Sequence, residues 1–228
     1  MTRLAVSSII FFLSGVANFA EAQPAAVMPA IGAMRIGDFA QAIDTLKPIA
    51  AKGDLEAQYL LGVAYESLPK RDPAAAIEWY RRAGESGHAG ALNNLGAMYY
   101  DGRGVARDYA EAARLYGEAA AQEHPEALYN LALMHGMGVG MPRDEREMAR
   151  LLARAADKGV VGAKAQLGIS YQRGLGVTRD LAKSHELLLQ AANAGHKGAM
   201  RELAQIYEIG LGVPADEAEA KRWRELAQ

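Results

Sequence analysis

The eighteen residues Ala91 to Asp108, ALNNLGAMYYDGRGVARD, recur along this chain. Similar stretches begin at Ala127, Ala163 and Ala199, each 36 residues after the last, and an earlier one begins at Ala57, 34 residues before Ala91. Self-similarity at a fixed period of this size is the mark of a solenoid. One unit cannot bury its apolar face alone, so neighbouring units share a core that runs along the stack.

Each unit reads as a helix, a loop and a second helix. The first helix carries Ala57, Leu61 and Tyr65; then Ala91, Leu95 and Tyr99; then Ala127, Leu131 and His135; then Ala163, Leu167 and Tyr171; then Ala199, Leu203 and Tyr207. Steps of four place each set on one face. Gly62, Gly96 and Gly168 follow the leucine in three copies. A glycine inside a helix costs about 1 kcal/mol relative to alanine, which makes sense where a neighbouring helix passes too close for a Cβ.

The loops are GRGVARD, GVGMPRD, GLGVTRD and GLGVPAD, with glycines at alternate positions that suit a positive φ. A phosphate-cradling loop would need a following Lys-Ser/Thr and a preceding strand, and neither is present. The first unit has ESLPKRD instead, two residues shorter, so its turn should differ.

Asp72, Asp108, Asp144, Asp180 and Asp216 close the loops at intervals of 36. Repeated carboxylates are calcium-type donors, but each of these stands just before an apolar-periodic helix, where an aspartate accepts from the first free N–H groups. Glu111, Glu147 and Glu219 come three residues later and match the acidic half of a capping box. The second helices then show i, i+3, i+4, i+7 stripes, such as Ala112, Leu115, Tyr116 and Ala119. Alanine ends the stripe in all five copies (Ala83, Ala119, Ala155, Ala191 and Ala227), which predicts a close helix crossing. Arg224 breaks the final stripe, as a polar outer face should on a terminal cap.

These residues resemble the Sel-1-like repeat family, relatives of the tetratricopeptide repeats. The second unit carries the family pattern in Ala91, Leu95, Gly96, Tyr99, Gly102, Gly104, Val105 and Asp108, and the fourth in Ala163, Leu167, Gly168, Tyr171, Gly174, Gly176, Val177 and Asp180. The resemblance implies an all-α, right-handed α-solenoid: five repeats over 54–87, 88–123, 124–159, 160–195 and 196–228, preceded by a half-repeat. It also implies an adaptor rather than an enzyme, since members of the family are mostly adaptors. Asp38 to Gly53 is the half-repeat within a capping segment at 35–53, with Pro48 inside its helix. Residues 23–34, with two prolines and no helical stripe, read as a tether.

The amino terminus has one basic residue, Arg3, an apolar run from Leu4 to Leu13, and small residues at Ala20 and Ala22. That order is a secretory signal peptide over 1–22, with cleavage between Ala22 and Gln23 and a periplasmic or secreted product. No stable membrane insertion is expected after cleavage, because spanning needs about 20 apolar residues.

The chain has no cysteine and a formal net charge of -2. That removes thiolate chemistry and argues against a nucleic-acid partner, which needs a basic surface. No H-E-x-x-H or G-x-S-x-G pattern is present, and no catalytic residue, cofactor or metal site is assigned. An enzyme acting on cell-wall material is the alternative class, and it lacks converging acid, base or nucleophile groups. His88, His124 and His196 share one repeat position and read as turn residues. Met134, His135, Met137 and Met141 are copper-type donors, which leaves copper handling as a minor alternative to ordinary core filling.

A protein or peptide partner is the expectation, held in the concave groove. Opposite the buried stripe, and by similarity to the tetratricopeptide groove, the lining would be Tyr59, Val63 and Glu66; Asn93, Ala97 and Tyr100; Tyr129, Leu133 and Gly136; Ala165, Ile169 and Gln172; and Arg201, Gln205 and Glu208. Tyrosine offers large contact area with a polar tip. Tyr59 and Tyr129 can equally pack between adjacent helices.

Overall fold

The computed structural model describes residues 25–228. Twelve α-helices follow one another there: α1 (Met28–Arg35), α2 (Phe39–Ala50), α3 (Leu55–Ser67), α4 (Pro73–Glu85), α5 (Ala89–Asp101), α6 (Tyr109–Ala121), α7 (Pro125–Met137), α8 (Glu145–Asp157), α9 (Val161–Arg173), α10 (Leu181–Asn193), α11 (Lys197–Ile209) and α12 (Glu217–Leu226). No strand occurs among the described residues. Each helix packs on the one before and the one after it, and α3 also touches α5. This nearest-neighbour packing is the solenoid that the repeats predict.

Every loop aspartate starts its helix. The carboxylates of Asp72, Asp108, Asp144, Asp180 and Asp216 accept backbone N–H groups in the first turns of α4, α6, α8, α10 and α12. The capping-box expectation is corrected in its second half. The N–H of Asp108 is already taken by the Tyr99 carbonyl, and those of Asp144 and Asp216 by His135 and Tyr207. The glutamates turn outward instead: Glu111 pairs with Arg114, Glu147 with Arg150 and Glu219 with Arg222. The Arg114 guanidinium holds the Glu111 carboxyl below its ordinary pKa.

The two loop glycines have separate tasks. Gly102, Gly138, Gly174 and Gly210 end helices α5, α7, α9 and α11 in the left-handed region, with φ between 67° and 73°. The second glycine nests on the first residue of the preceding repeat's second helix. A Cβ on Gly104 would lie 2.7 Å from Pro73, and one on Gly212 would lie 2.5 Å from Leu181. Gly140 meets the Tyr109 carbonyl and Gly176 the Glu145 carbonyl closer than any real Cβ approaches. The first repeat has no such glycine, and α3 ends at Leu68 with an extended backbone.

The glycines that follow the first-helix leucines, Gly62, Gly96 and Gly168, are explained by the side chains of Tyr80, Tyr116 and Leu188. Gly62 lies under the Tyr80 ring, and Gly96 lies 3.0 Å, measured from a built Cβ, from Tyr116. Ala83, Ala119, Ala155 and Ala191, which end the second-helix stripes, are fully buried, and Ala227 nearly so.

One amino-terminal reading changes and another is not tested. Residues 1–24, which hold the signal-peptide expectation, lie outside the described residues. Residues 28–35 are not a tether but helix α1, which packs on α2 through Ala30, Ile31, Ala33 and Met34. Pro29 stands in its first turn, where proline starts a helix rather than breaking it. So α2 is paired, and the stack opens with a short helix pair. α2 runs past Pro48 to Ala50; the missing proline N–H falls in its last turn.

Candidate partner-binding face

The first helices of the repeats (α3, α5, α7, α9, α11) form a column, and the second helices another. The contact between α3 and α5 brings successive first helices together directly. No pair of second helices among the described residues makes a contact of that extent.

The expected groove residues fall into three groups. Val63, Glu66, Asn93 and Ala165 are buried. Tyr59, Ala97, Tyr100, Tyr129, Leu133, Gly136, Ile169 and Gln172 are half-buried, and Arg201, Gln205 and Glu208 are exposed. Tyr59 is packed: its ring stacks on His88 at 4.6 Å and lies 6.2 Å from Tyr80. Burial, with the nearby Glu56 carboxylate adding to it, pushes its hydroxyl up to about 12. Tyr129 covers Gly162 of the next first helix, its hydroxyl 3.0 Å from where a Cβ would stand. Both tyrosines pack between adjacent helices. Tyr100 meets Tyr109 edge-on at 5.2 Å and keeps part of its ring open.

A chain of polar groups that the sequence did not reveal runs beneath this face. The Glu66 carboxylate accepts from Tyr80 Oη at 2.9 Å and is ion-paired with Arg103. Asn94 donates to Tyr80 Oη at 3.2 Å, Asn93 donates to Asn94 at 3.3 Å, and Asn130 donates to Asn93 at 3.0 Å. Three repeats are tied together. Burial raises the Glu66 pKa against the opposing pull of Arg103. The only sequence signal is spacing: Glu66 to Arg103 and Asn93 to Asn130 are each 37 residues, one period plus one.

The histidines read as turn residues are helix caps. Nδ1 of His88, His124 and His196 accepts the N–H of Ala91, Ala127 and Ala199 at 3.1, 3.4 and 3.0 Å. Asp54 fills this position for α3, and Val160, which cannot cap, fills it for α9.

The methionine-histidine stretch is divided between core and surface. Met134 is buried in the core while Met137 is 47% exposed at the end of α7. No group of three or more His, Asp or Glu side chains is placed to hold a metal ion among the described residues. A shallow depression of about 650 Å³ lies between Arg143–Arg146 and the loop at Gly174–Thr178, and a second of about 230 Å³ is lined by Glu66, Arg71 and Arg103. In the first, Asp144 is occupied as a cap and Glu145 pairs with Arg143. Neither gathers an acid, a base and a nucleophile.

Comparison with known proteins agrees with this geometry. The Sel1 repeat matches at residues 55–88, 89–124, 125–160, 162–196 and 198–227. No curated protein matches the sequence. Among solved structures, a Sel1 repeat protein from Oxalobacter formigenes is 28% identical with a TM-score of 0.82, over 90% of this chain and 82% of that one. A protective antigen present in uropathogenic Escherichia coli strains, described as displaying an SLR fold, is 33% identical with a TM-score of 0.76. That match covers 81% of this chain and 40% of the antigen. An immunity protein from Pseudomonas aeruginosa, 16% identical at a TM-score of 0.59 over 93% of this chain and 84% of its own, shares the fold. With five repeats matched over most of its length, the chain belongs to the Sel1 repeat family.

Proposed function

We propose that this protein is a non-catalytic scaffold that holds a protein or peptide partner along the face of its first helices. The observation that carries the reading is the column itself. Half-open Tyr100, Leu133, Ile169 and Gln172 stand on successive first helices, above a hydrogen-bonded network that fixes the first three repeats relative to one another. A rigid row of partly exposed aromatic and aliphatic side chains loses little freedom on binding, and so favours affinity. Tyr59, Val63, Glu66, Asn93 and Tyr129 support that row rather than touch the partner, and Arg201, Gln205 and Glu208 give its last turn a polar end.

The partner is an envelope or secreted protein if the leader at 1–22 directs export; mature protein beginning at Gln23 is the expected result of N-terminal sequencing. No described helix is long and apolar enough to cross a membrane. The test places a photo-crosslinking residue at Tyr100 or at Leu133, and separately at Arg114 on the exposed side of α6. Capture from the first two positions and not from the third supports the reading. Equal capture from both sides, or from Arg114 alone, removes it.

A further inference from the structure

Three helices in one column begin with an imidazole where an aspartate would serve. For the imidazole to cap, Nδ1 must carry a lone pair, so the ring must be neutral with its proton on Nε2. Adding a proton to Nδ1 removes the acceptor and sets a cation against the positive end of the helix dipole. We infer that His124 and His196 are an acid-sensitive latch, which holds the first turns of α7 and α11 at neutral pH and releases them on protonation.

The surroundings separate these two from His88. His88 Nε2 lies 3.1 Å from Glu56 Oε2, and its ring is stacked on Tyr59, so a carboxylate and an aromatic ring from α3 stand against it. At the positions of Glu56 and Tyr59, the chain has Gly90 and Asn93 before His124, and Gly162 and Ala165 before His196. No countercharge comes from the preceding first helix in either case. On its own helix His124 has Glu126, whose Oε2 lies 3.5 Å from Nδ1. This is the group that a protonated Nδ1 would turn to, leaving Ala127 uncapped. The Glu123 carboxylate beside it is held by Arg154 and Lys158 of α8. His196 faces Arg201 of α11 and adjoins Lys197, both cationic; Lys164 of α9 is engaged with Gln190 of α10.

Burial holds both rings below the ordinary histidine pKa; Glu126 opposes this at His124, while His88 adds to it, as Arg201 does at His196. The sign follows. The unfolded chain takes up protons first, at about pH 6.5. The capping contribution is complete above that pH and is lost as pH falls below it. The consequence falls on α7 and α11, two walls of the candidate binding face, while α3 (capped by Asp54) and α9 (without a side-chain cap) serve as internal references.

The test compares the wild type with the double variant His124→Asn, His196→Asn, which keeps a cap oxygen that does not titrate. Between about pH 7.5 and about pH 5.5 the wild-type melting temperature should fall by roughly 4–8 °C more than that of the variant. Amide exchange at Ala127 and Ala199 should accelerate in the wild type over the same range, relative to Ala57 and Ala163. Equal pH dependence of the two proteins, or unchanged protection at Ala127 and Ala199, would overturn the inference. If the asparagine variant fails to fold, the pair His124→Asp, His196→Asp replaces it, and ring titrations of the wild type followed by NMR decide independently. Midpoints at or above about 6.5 for both rings would equally overturn it.

Discussion

Single residues here are set by what stands within a few ångströms of them. Gly176 has φ near 71° and faces the Glu145 carbonyl with no room for a methyl group, whereas Gly195 has φ near 87° and open space. Gly195→Ala should cost about 1 kcal/mol, the strain of a left-handed alanine. Gly176→Ala adds an overpacking cost and should lose about 3 kcal/mol or more. Urea denaturation of both separates strain from collision. Ser184 poses the opposite case. It occupies a stripe position filled by Ala76, Ala112 and Ala220 in other repeats, is 1% exposed, and its hydroxyl has no partner among the described residues. Ser184→Ala should raise stability by about 1 kcal/mol, because a buried hydroxyl without a hydrogen bond is a net cost. A lowered melting temperature would show that the hydroxyl is satisfied in solution.

At the level of the helix, period and capping chemistry were legible because they are local. Asp72 to Asp216, the stripes and the alternate glycines each carry their signal within one repeat. What the sequence did not show depends on residues brought together across repeats. The glutamates after the caps satisfied a capping-box pattern, but the backbone N–H they would need was already taken by a carbonyl at the end of the preceding helix. Helix α1 was missed for another reason: eight residues hold barely two turns, too few for a period to show, and Pro29 marks a start as readily as a break. The expected lining of the groove was read as a direction on the helix, not as exposure. Val63, Glu66 and Asn93 point to that side yet lie under their neighbours. α9 shows what a missing cap implies. Val160→Asp should supply the acceptor that Asp54 gives α3, raising stability by about 0.5–1 kcal/mol. A thermal melt reads it, and no gain would mean that the first turn of α9 is already satisfied by other means.

Over the whole molecule, the buried apolar side chains divide into two clusters that meet at α9. A long cluster runs from Val27 to Leu167, and a second from Ala165 to Ala227, so the boundary passes through α9. The same region holds the uncapped helix start and the orphaned Ser184 hydroxyl. A repeat stack unfolds at its weakest junction. Amide exchange should therefore show α9 to α12 opening before α3 to α8, and the pair Val160→Asp, Ser184→Ala should narrow the gap. Uniform exchange along the stack would show that the two clusters behave as one.

The seating of each second loop glycine on the preceding repeat makes the chain its own ruler. Pro73 to Gly104, Tyr109 to Gly140, Glu145 to Gly176 and Leu181 to Gly212 are four spans of equal length, each crossing two helices and a turn. A copy one residue too long or too short would bring a side chain to the one point that admits none. Such a protein can lengthen or shorten by whole units but not by fractions of one. The departure from 36 falls in the first repeat, whose loop ESLPKRD has no glycine to seat and so nothing to keep in register.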